Sequence, residues 1–347
     1  MARLRYDILE LIDRLEPGVR RSFLDAVADI KSEAQLKLLT AALADNDFAR
    51  AWTILQMDPA FFSPLDEALR AAYYQGGVAA LAALPALPPN PITGGPVVAR
   101  FNVRNPRAEA WVRDWSSSLI TEIVEDTRQG TMAYLTEAMQ TGTGPREAAL
   151  DLVGRVDRQT GKRVGGIIGL HSSQARWVAN AKAELLSGDP TRMANYFTRK
   201  RRDKRFDGAV RKAIREGRPV PREQVNAMVA RYSDRLLKLR GETIARTELL
   251  QGLHNAQDEG VRQLIEAGHI RPDQVIATWD ASEDGATRPS HRAMEGQKRD
   301  RNGQFTTGDG FKMRYPGDRS LDAPASEIIN CRCRVEISFD WSGLVGR

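Results

Sequence analysis

The side chains best suited to chemistry crowd into the last quarter of the 347-residue chain, residues 241–341. Both cysteines of the protein, Cys331 and Cys333, lie there, with three of its four histidines, His254, His269 and His291. An imidazole and two thiolates match the ligand preferences of zinc, so His291, Cys331 and Cys333 are candidate metal ligands. A fourth ligand would come from His254, Asp280, Asp284 or Asp318. One Cys-x-Cys and a single histidine differ from the paired Cys-x-x-Cys spacing of most structural zinc sites. A second chemistry is a Cys–His nucleophile pair, with Arg332 and Arg334 favouring the thiolate. The sequence supplies no third, orienting group for it. The third reading is packing: two small buried thiols and a hydrogen-bonded histidine. A bridge between the two cysteines is not expected. Residues i and i+2 of a strand stand about 6.5 Å apart, and such neighbours close a disulfide only with strain. Free thiols suit a reducing compartment.

No catalytic residue is assigned and no cofactor is expected, zinc apart; Glu248 and His291 are the candidates under the enzyme alternative. Glu248 sits in Ile244-Ala245-Arg246-Thr247-Glu248, on a helix whose Ile244 and Leu249 face inward. Residues two apart do not meet on a helix, so Arg246 and Glu248 are expected to reach other elements. A buried ion network and an active-site carboxylate are both open to Glu248. The chain has no Lys-Ser/Thr after Gly142-Thr143-Gly144, no His-Glu-x-x-His and no nucleophile elbow, which removes the common phosphate-loop and hydrolase signatures.

Charge is uneven. The net charge is +6. Residues 1–83 carry 9 Lys/Arg against 12 Asp/Glu, whereas residues 196–240 carry 15 against 5, an excess of ten. Within that basic segment Arg199, Lys200, Arg201, Arg202, Lys204, Arg205, Arg211 and Lys212 are interleaved with Tyr196, Phe197 and Phe206. Such a block suits a polyanion or a solvated face. With no base-reading motif, DNA contact would be sequence-independent and salt-sensitive.

These groups must be positioned by mostly helical elements. Ile8, Leu11, Ile12 and Leu15 share a helix face, and Glu16-Pro17-Gly18 is expected to end that helix before Phe23, Val27 and Ile30 begin another. Leu36, Leu39 and Leu43 continue, and Asp45-Asn46-Asp47 starts the helix of Phe48, Trp52 and Leu55. Residues 1–83 are expected to form a small helical bundle. Pro85, Pro88, Pro89, Pro91 and Pro96 make residues 84–106 an extended linker and the main domain boundary. Residues 107–240 form a helical body. Trp111, Trp115, Leu119 and Ile123 stripe its first helix, and Ser172-Ser173 can cap a later one. Pro221 opens a long helix that Gly241 interrupts. Residues 241–341 turn to short strands at 275–279, 305, 311–315 and 331–339, with a short helix over 287–295. The expected class is α+β, with helical N-terminal and central regions before a small C-terminal α+β domain. No run of eighteen apolar residues predicts a membrane span, and the amphipathic, acid-containing N-terminus does not read as a signal peptide.

The C-terminal pieces resemble, in order and separation, the phage Mu F-like head morphogenesis family, the minor capsid or minor head proteins of tailed phages. They are Ala245-Arg246-Thr247-Glu248, Trp279, Arg288 with His291, Gly296, Phe305, Tyr315-Pro316-Gly317-Asp318 and Asn330-Cys331-Arg332-Cys333. The resemblance covers about residues 225–340. One departure is Glu283-Asp284-Gly285-Ala286-Thr287-Arg288, which loosens the family's usual acid-to-arginine spacing. The resemblance implies a structural role for Arg246, Glu248, Trp279, Arg288, Gly296, Tyr315, Pro316, Asp318, Asn330 and Arg332. It implies a protein made in the host cytoplasm that enters the head in few copies. Its partners would be portal protein, major capsid protein or scaffold, and the double-stranded phage DNA. The alternatives are a metal-dependent enzyme on nucleic acid or protein, and a nonspecific DNA-binding module.

Overall fold

The computed structural model describes residues 7–342, apart from 56, 85–86, 88, 90–93 and 283. Its helices are α1 (Ile8–Glu33), α2 (Leu36–Ala44), α3 (Phe48–Ile54), α4 (Ser63–Ala82), α5 (Pro106–Gln140), α6 (Pro145–Val153), α7 (Ser172–Leu186), α8 (Pro190–Ala194), α9 (Asp207–Arg215), α10 (Arg222–Glu266), α11 (Pro289–Arg292) and α12 (Ala325–Ile328). The strands are β1 (Arg155–Val156), β2 (Arg163–Val164), β3 (Val275–Asp280), β4 (Phe305–Thr306), β5 (Lys312–Met313) and β6 (Arg334–Phe339). They pair antiparallel as β1–β2, β3–β6 and β4–β5. The class is therefore mainly helical α+β, as expected.

Local signals place many of these ends. Asp47 caps α3 by accepting the Arg50 N–H, and Asp189 caps α8 by accepting those of Thr191 and Arg192. Three expectations are corrected. Pro17 and Gly18 do not end α1, which runs unbroken from Ile8 to Glu33. A proline inside a helix forfeits one hydrogen bond, but Ile8, Leu11 and Ile12 before it and Val19, Phe23 and Val27 after it are all buried. Their packing outweighs the loss. Gly241 likewise lies inside the continuous 45-residue α10. Ser172 and Ser173 do not cap α7: His171 occupies the N-cap position, and no side chain bonds the free N–H groups.

By contacts the chain forms two compact units assembled from separate stretches. Unit 1 is Met1–Arg20, Asp66–Ser116 and Glu242–Arg347; unit 2 is Arg21–Leu65 and Ser117–Gly241. These units do not follow the consecutive segments expected, because the divisions fall inside α1, α4, α5 and α10. The expected linker, residues 84–106, lies in unit 1. Pro85, Pro88 and Pro91 fall outside the described residues, but residues 94–105 carry neither helix nor strand. That stretch is nonetheless anchored. Phe101 is buried edge-on against Tyr73 at 5.9 Å. The Asn102 backbone exchanges two hydrogen bonds with the Gln263 side chain.

In unit 1, Trp111 stacks between Tyr73 of α4 and Trp115, at centroid distances of 5.3 and 5.0 Å. The tryptophan stripe of α5 is thus core, and Trp115 packs on Gly252 of α10. A Cβ there would stand 2.6 Å from the indole Cη2, so only glycine admits the ring at this distance. In unit 2, Leu185, Met193, Tyr196, Val210, Val220 and Val225 form a buried cluster under the basic segment.

Candidate metal centre and its surroundings

Two backbone returns build the site in unit 1. β3 runs antiparallel to β6, with Trp279 opposite Val335 and Asp280 opposite Arg334. The segment after α11 folds back on β3: the Trp279 N–H donates to Gln297 O at 2.8 Å, and the Gly296 N–H donates to Trp279 O at 2.9 Å. Gly296 makes that turn at φ +72°, a conformation glycine adopts without steric cost. Pro289, at the first position of α11, sets the helix that carries His291. From the other side, Asn330 takes φ +55°, and its N–H donates to Thr247 Oγ1 of α10 at 3.2 Å. This turn delivers Cys331 and Cys333, which precede β6 rather than belonging to it.

The three candidate ligands do come together. His291, Cys331 and Cys333 are buried, and their ligand atoms all lie within 4.8 Å of one another. His291 Nδ1 is 3.3 Å from Cys331 Sγ and 3.5 Å from Cys333 Sγ. Neither cysteine is in a disulfide. Trp279 walls the cluster, its ring edge-on to His291 at 5.4 Å and to Phe305 at 5.2 Å. The neighbouring Cys331 thiol, followed by His291, pulls Cys333 below the usual thiol range against the opposing effect of burial. Cys331 is pushed up by its contact with Cys333 and by burial. The pair therefore favours one thiolate and one thiol when nothing else is bound. An imidazole nitrogen and two sulfurs, one already inclined to ionise, form a donor set able to hold a metal ion.

The expected fourth ligands mostly have other partners. His254 lies inside α10, its Nδ1 2.9 Å from Leu250 O and its Nε2 accepting the Val335 N–H. Asp280 pairs with Arg334 at 2.5 Å. Asp318 is fully buried and accepts the N–H groups of Arg314 and Ser320, closing the Tyr315-Pro316-Gly317-Asp318 turn. Asp284 pairs with Arg332 at 2.6 Å, and both border a cavity of about 10 Å³ beside His291 and the cysteines. That is about the smallest volume that admits one water.

Glu248 is a buried junction. It accepts Trp115 Nε1–H at 2.9 Å and Arg319 Nη2–H at 2.6 Å. Arg246 points elsewhere and pairs with Asp13 of α1 at 2.8 Å. The two residues therefore serve different elements, as their spacing predicts. Arg288 donates to the Ile329 carbonyl. Tyr315 is buried, stacked on His254, and its hydroxyl accepts from Asn255 Nδ2.

The basic segment, in unit 2, divides into two populations. Arg199 pairs with Glu184 at 2.5 Å and Arg202 with Asp207 at 2.9 Å, both with largely buried side chains. Arg205 pairs with Asp203, which also draws Arg231 and Arg235 to within 4 Å. The Arg205 contact holds the Asp203 carboxyl down at about 2. Arg211 reaches Asp207 at 3.9 Å from an exposed position. Lys200, Arg201, Lys204 and Lys212 are exposed. Residue counting overstated the free charge, because buried acids from within and before the segment neutralise part of it.

Several residues were missed by sequence reasoning. Glu327 Oε2 lies 2.8 Å from His291 Nε2, beside the ring nitrogen rather than on its N–H axis. Ser290 Oγ donates to the same carboxylate at 3.0 and 3.2 Å. Trp115 and Arg319 complete the surroundings of Glu248. No local signal marks these partners; each contact joins residues 36 to 133 positions apart. No family model, curated protein or solved structure matches the chain.

Proposed function

We propose that the chain is a minor head protein of a tailed phage, internal to the head and in contact with portal and with major capsid protein or scaffold. One observation carries this reading beyond the sequence resemblance. Residues that make the resemblance, from Thr247 to Cys333, hold one another and their neighbours around a buried centre of Glu248, Trp279, His291, Cys331 and Cys333. Thr247 holds Asn330, Glu248 holds Arg319, Gly296 holds Trp279, and Trp279 walls His291. Gly317, at φ +87°, brings its turn against Gln251 of α10, where a Cβ would stand 3.3 Å from backbone. Residues used this way brace a domain. The cavity beside the cysteines has room for about one water, far below the volume of a substrate site.

Zinc is the metal this donor set suits, held as a further brace. Lys200, Arg201, Lys204 and Lys212 offer a face to the phosphates of packaged double-stranded DNA. The deciding experiment is co-expression with a cognate portal and major capsid protein. The chain should sediment with assembled heads and be captured by tagged portal. Recovery of the chain alone, with heads assembling normally without it, would refute the reading.

A further inference from the structure

Glu327 is 4% exposed, and the basic side chain within 4 Å of it among the described residues is His291. A carboxylate this deeply buried needs a donor or a cation. Ser290 supplies one hydrogen bond, and the remaining neighbour is His291 Nε2. Standing 2.8 Å from Nε2 though off its N–H axis, the carboxylate favours by its charge the tautomer with the proton on Nε2, which leaves the lone pair on Nδ1. That lone pair faces two sulfurs at nearly equal distances, 3.3 and 3.5 Å. One lone pair accepts one S–H bond well, and the sulfurs otherwise hold each other, with Cys331 Sγ also accepting the Cys333 N–H, yet none of these contacts requires both sulfurs to stand equally close to Nδ1. A shared centre accounts for both. Tetrahedral ligands at zinc bond lengths of about 2.0 Å to nitrogen and 2.3 Å to sulfur stand roughly 3.5 Å apart.

We infer that Glu327, braced by Ser290, is a positioning residue for a zinc ion held by His291 Nδ1, Cys331 and Cys333. This rests on the zinc reading above and is independent of the assignment to phage heads. The carboxylate fixes the tautomer and the ring orientation, and makes the imidazole a better donor. Its removal should weaken metal affinity without dismantling the metal-free fold.

The test uses the full chain. Metal analysis of purified protein should find about one zinc per chain. Cobalt(II) added to the stripped protein should give a thiolate-to-cobalt charge-transfer band that Cys333→Ser diminishes. Chelator competition should then show Glu327→Ala binding zinc about 10- to 100-fold more weakly, with Glu327→Gln between it and wild type. The metal-free circular dichroism spectrum should stay near wild type, while the metal-free unfolding midpoint of Glu327→Ala falls because Ser290 loses its buried partner. Wild-type protein with neither zinc nor a cobalt band would overturn the metal site itself. Zinc bound by wild type, with unchanged affinity in Glu327→Ala, would overturn the role of Glu327 alone. Should Glu327→Ala fail to fold, undiminished affinity in Glu327→Gln decides against that role in the same way.

Discussion

His254 shows how much a single buried ring depends on its protonation state. The Val335 backbone N–H can only donate, so His254 Nε2 must hold a lone pair and Nδ1 the proton that Leu250 O receives. Burial drives its pKa down to about 3, with the Leu250 carbonyl opposing and Arg299 adding slightly. The unfolded chain, at about 6.5, therefore takes up the proton first. The stability held by neutral His254 is full above pH 6.5 and is lost as pH falls toward 3. At pH 5 the loss should be about 2 kcal/mol. Urea unfolding of wild type and His254→Gln between pH 7 and 4.5 checks this. The variant starts less stable but should show the shallower decline; parallel declines would count against it. Glu248 illustrates the same dependence without titration, since Trp115 and Arg319 both rely on its two oxygens. The sequence suggested Glu248 as a catalytic carboxylate or an ion-network member, and the contacts favour the second.

At the scale of elements, close approaches rather than propensities set the design. Gly165 follows β2 at φ +73°, and a Cβ would stand 2.6 Å from Ala230 Cα of α10. Its carbonyl accepts Lys31 Nζ–H at 2.8 Å, and its N–H donates to Asp234 at 2.8 Å. The turn, α1 and α10 are thereby tied through one residue of unit 2. Gly165→Ala combines left-handed backbone strain of about 1–2 kcal/mol with overpacking of about 1–3 kcal/mol. A loss of about 2–5 kcal/mol is expected in chemical denaturation, and a change under 1 kcal/mol would show the turn to be permissive. The sequence marked glycines and prolines as breaks, and α1 and α10 both run through such positions. Breaker rules weigh local cost only. They cannot register the buried residues on either side of Pro17 that repay it.

For the whole molecule, charge distribution becomes a statement about partners. Lys200, Arg201, Lys204 and Lys212 are exposed, while Arg199 and Arg202 are committed to Glu184 and Asp207. Neutralising the exposed four should lower the salt slope of DNA binding by up to about four and leave the unfolding midpoint nearly unchanged. Arg199→Ala with Arg202→Ala should do the reverse, destabilising the fold with a smaller effect on the slope. Fluorescence anisotropy across a salt series reads the first, and thermal unfolding the second. An unchanged slope in the four-residue variant would remove DNA from the partners proposed for this face.

Short-range patterns in the sequence were enough for the helical α+β class, the helix start at Asp47, the tryptophan stripe, and β3 and β6, while residue type alone marked His291, Cys331 and Cys333 as candidates. Apolar periodicity and turn chemistry act over a few residues and can be read in order along the chain. Tertiary structure alone decided which acids neutralise the basic segment, that Glu248 serves Trp115 and Arg319, and that Glu327 stands behind His291. It also decided that the compact units interleave stretches far apart in the chain. These outcomes turn on which buried charge meets which donor, and that pairing exists only once α5, α10 and the β3–β6 pair have closed around it.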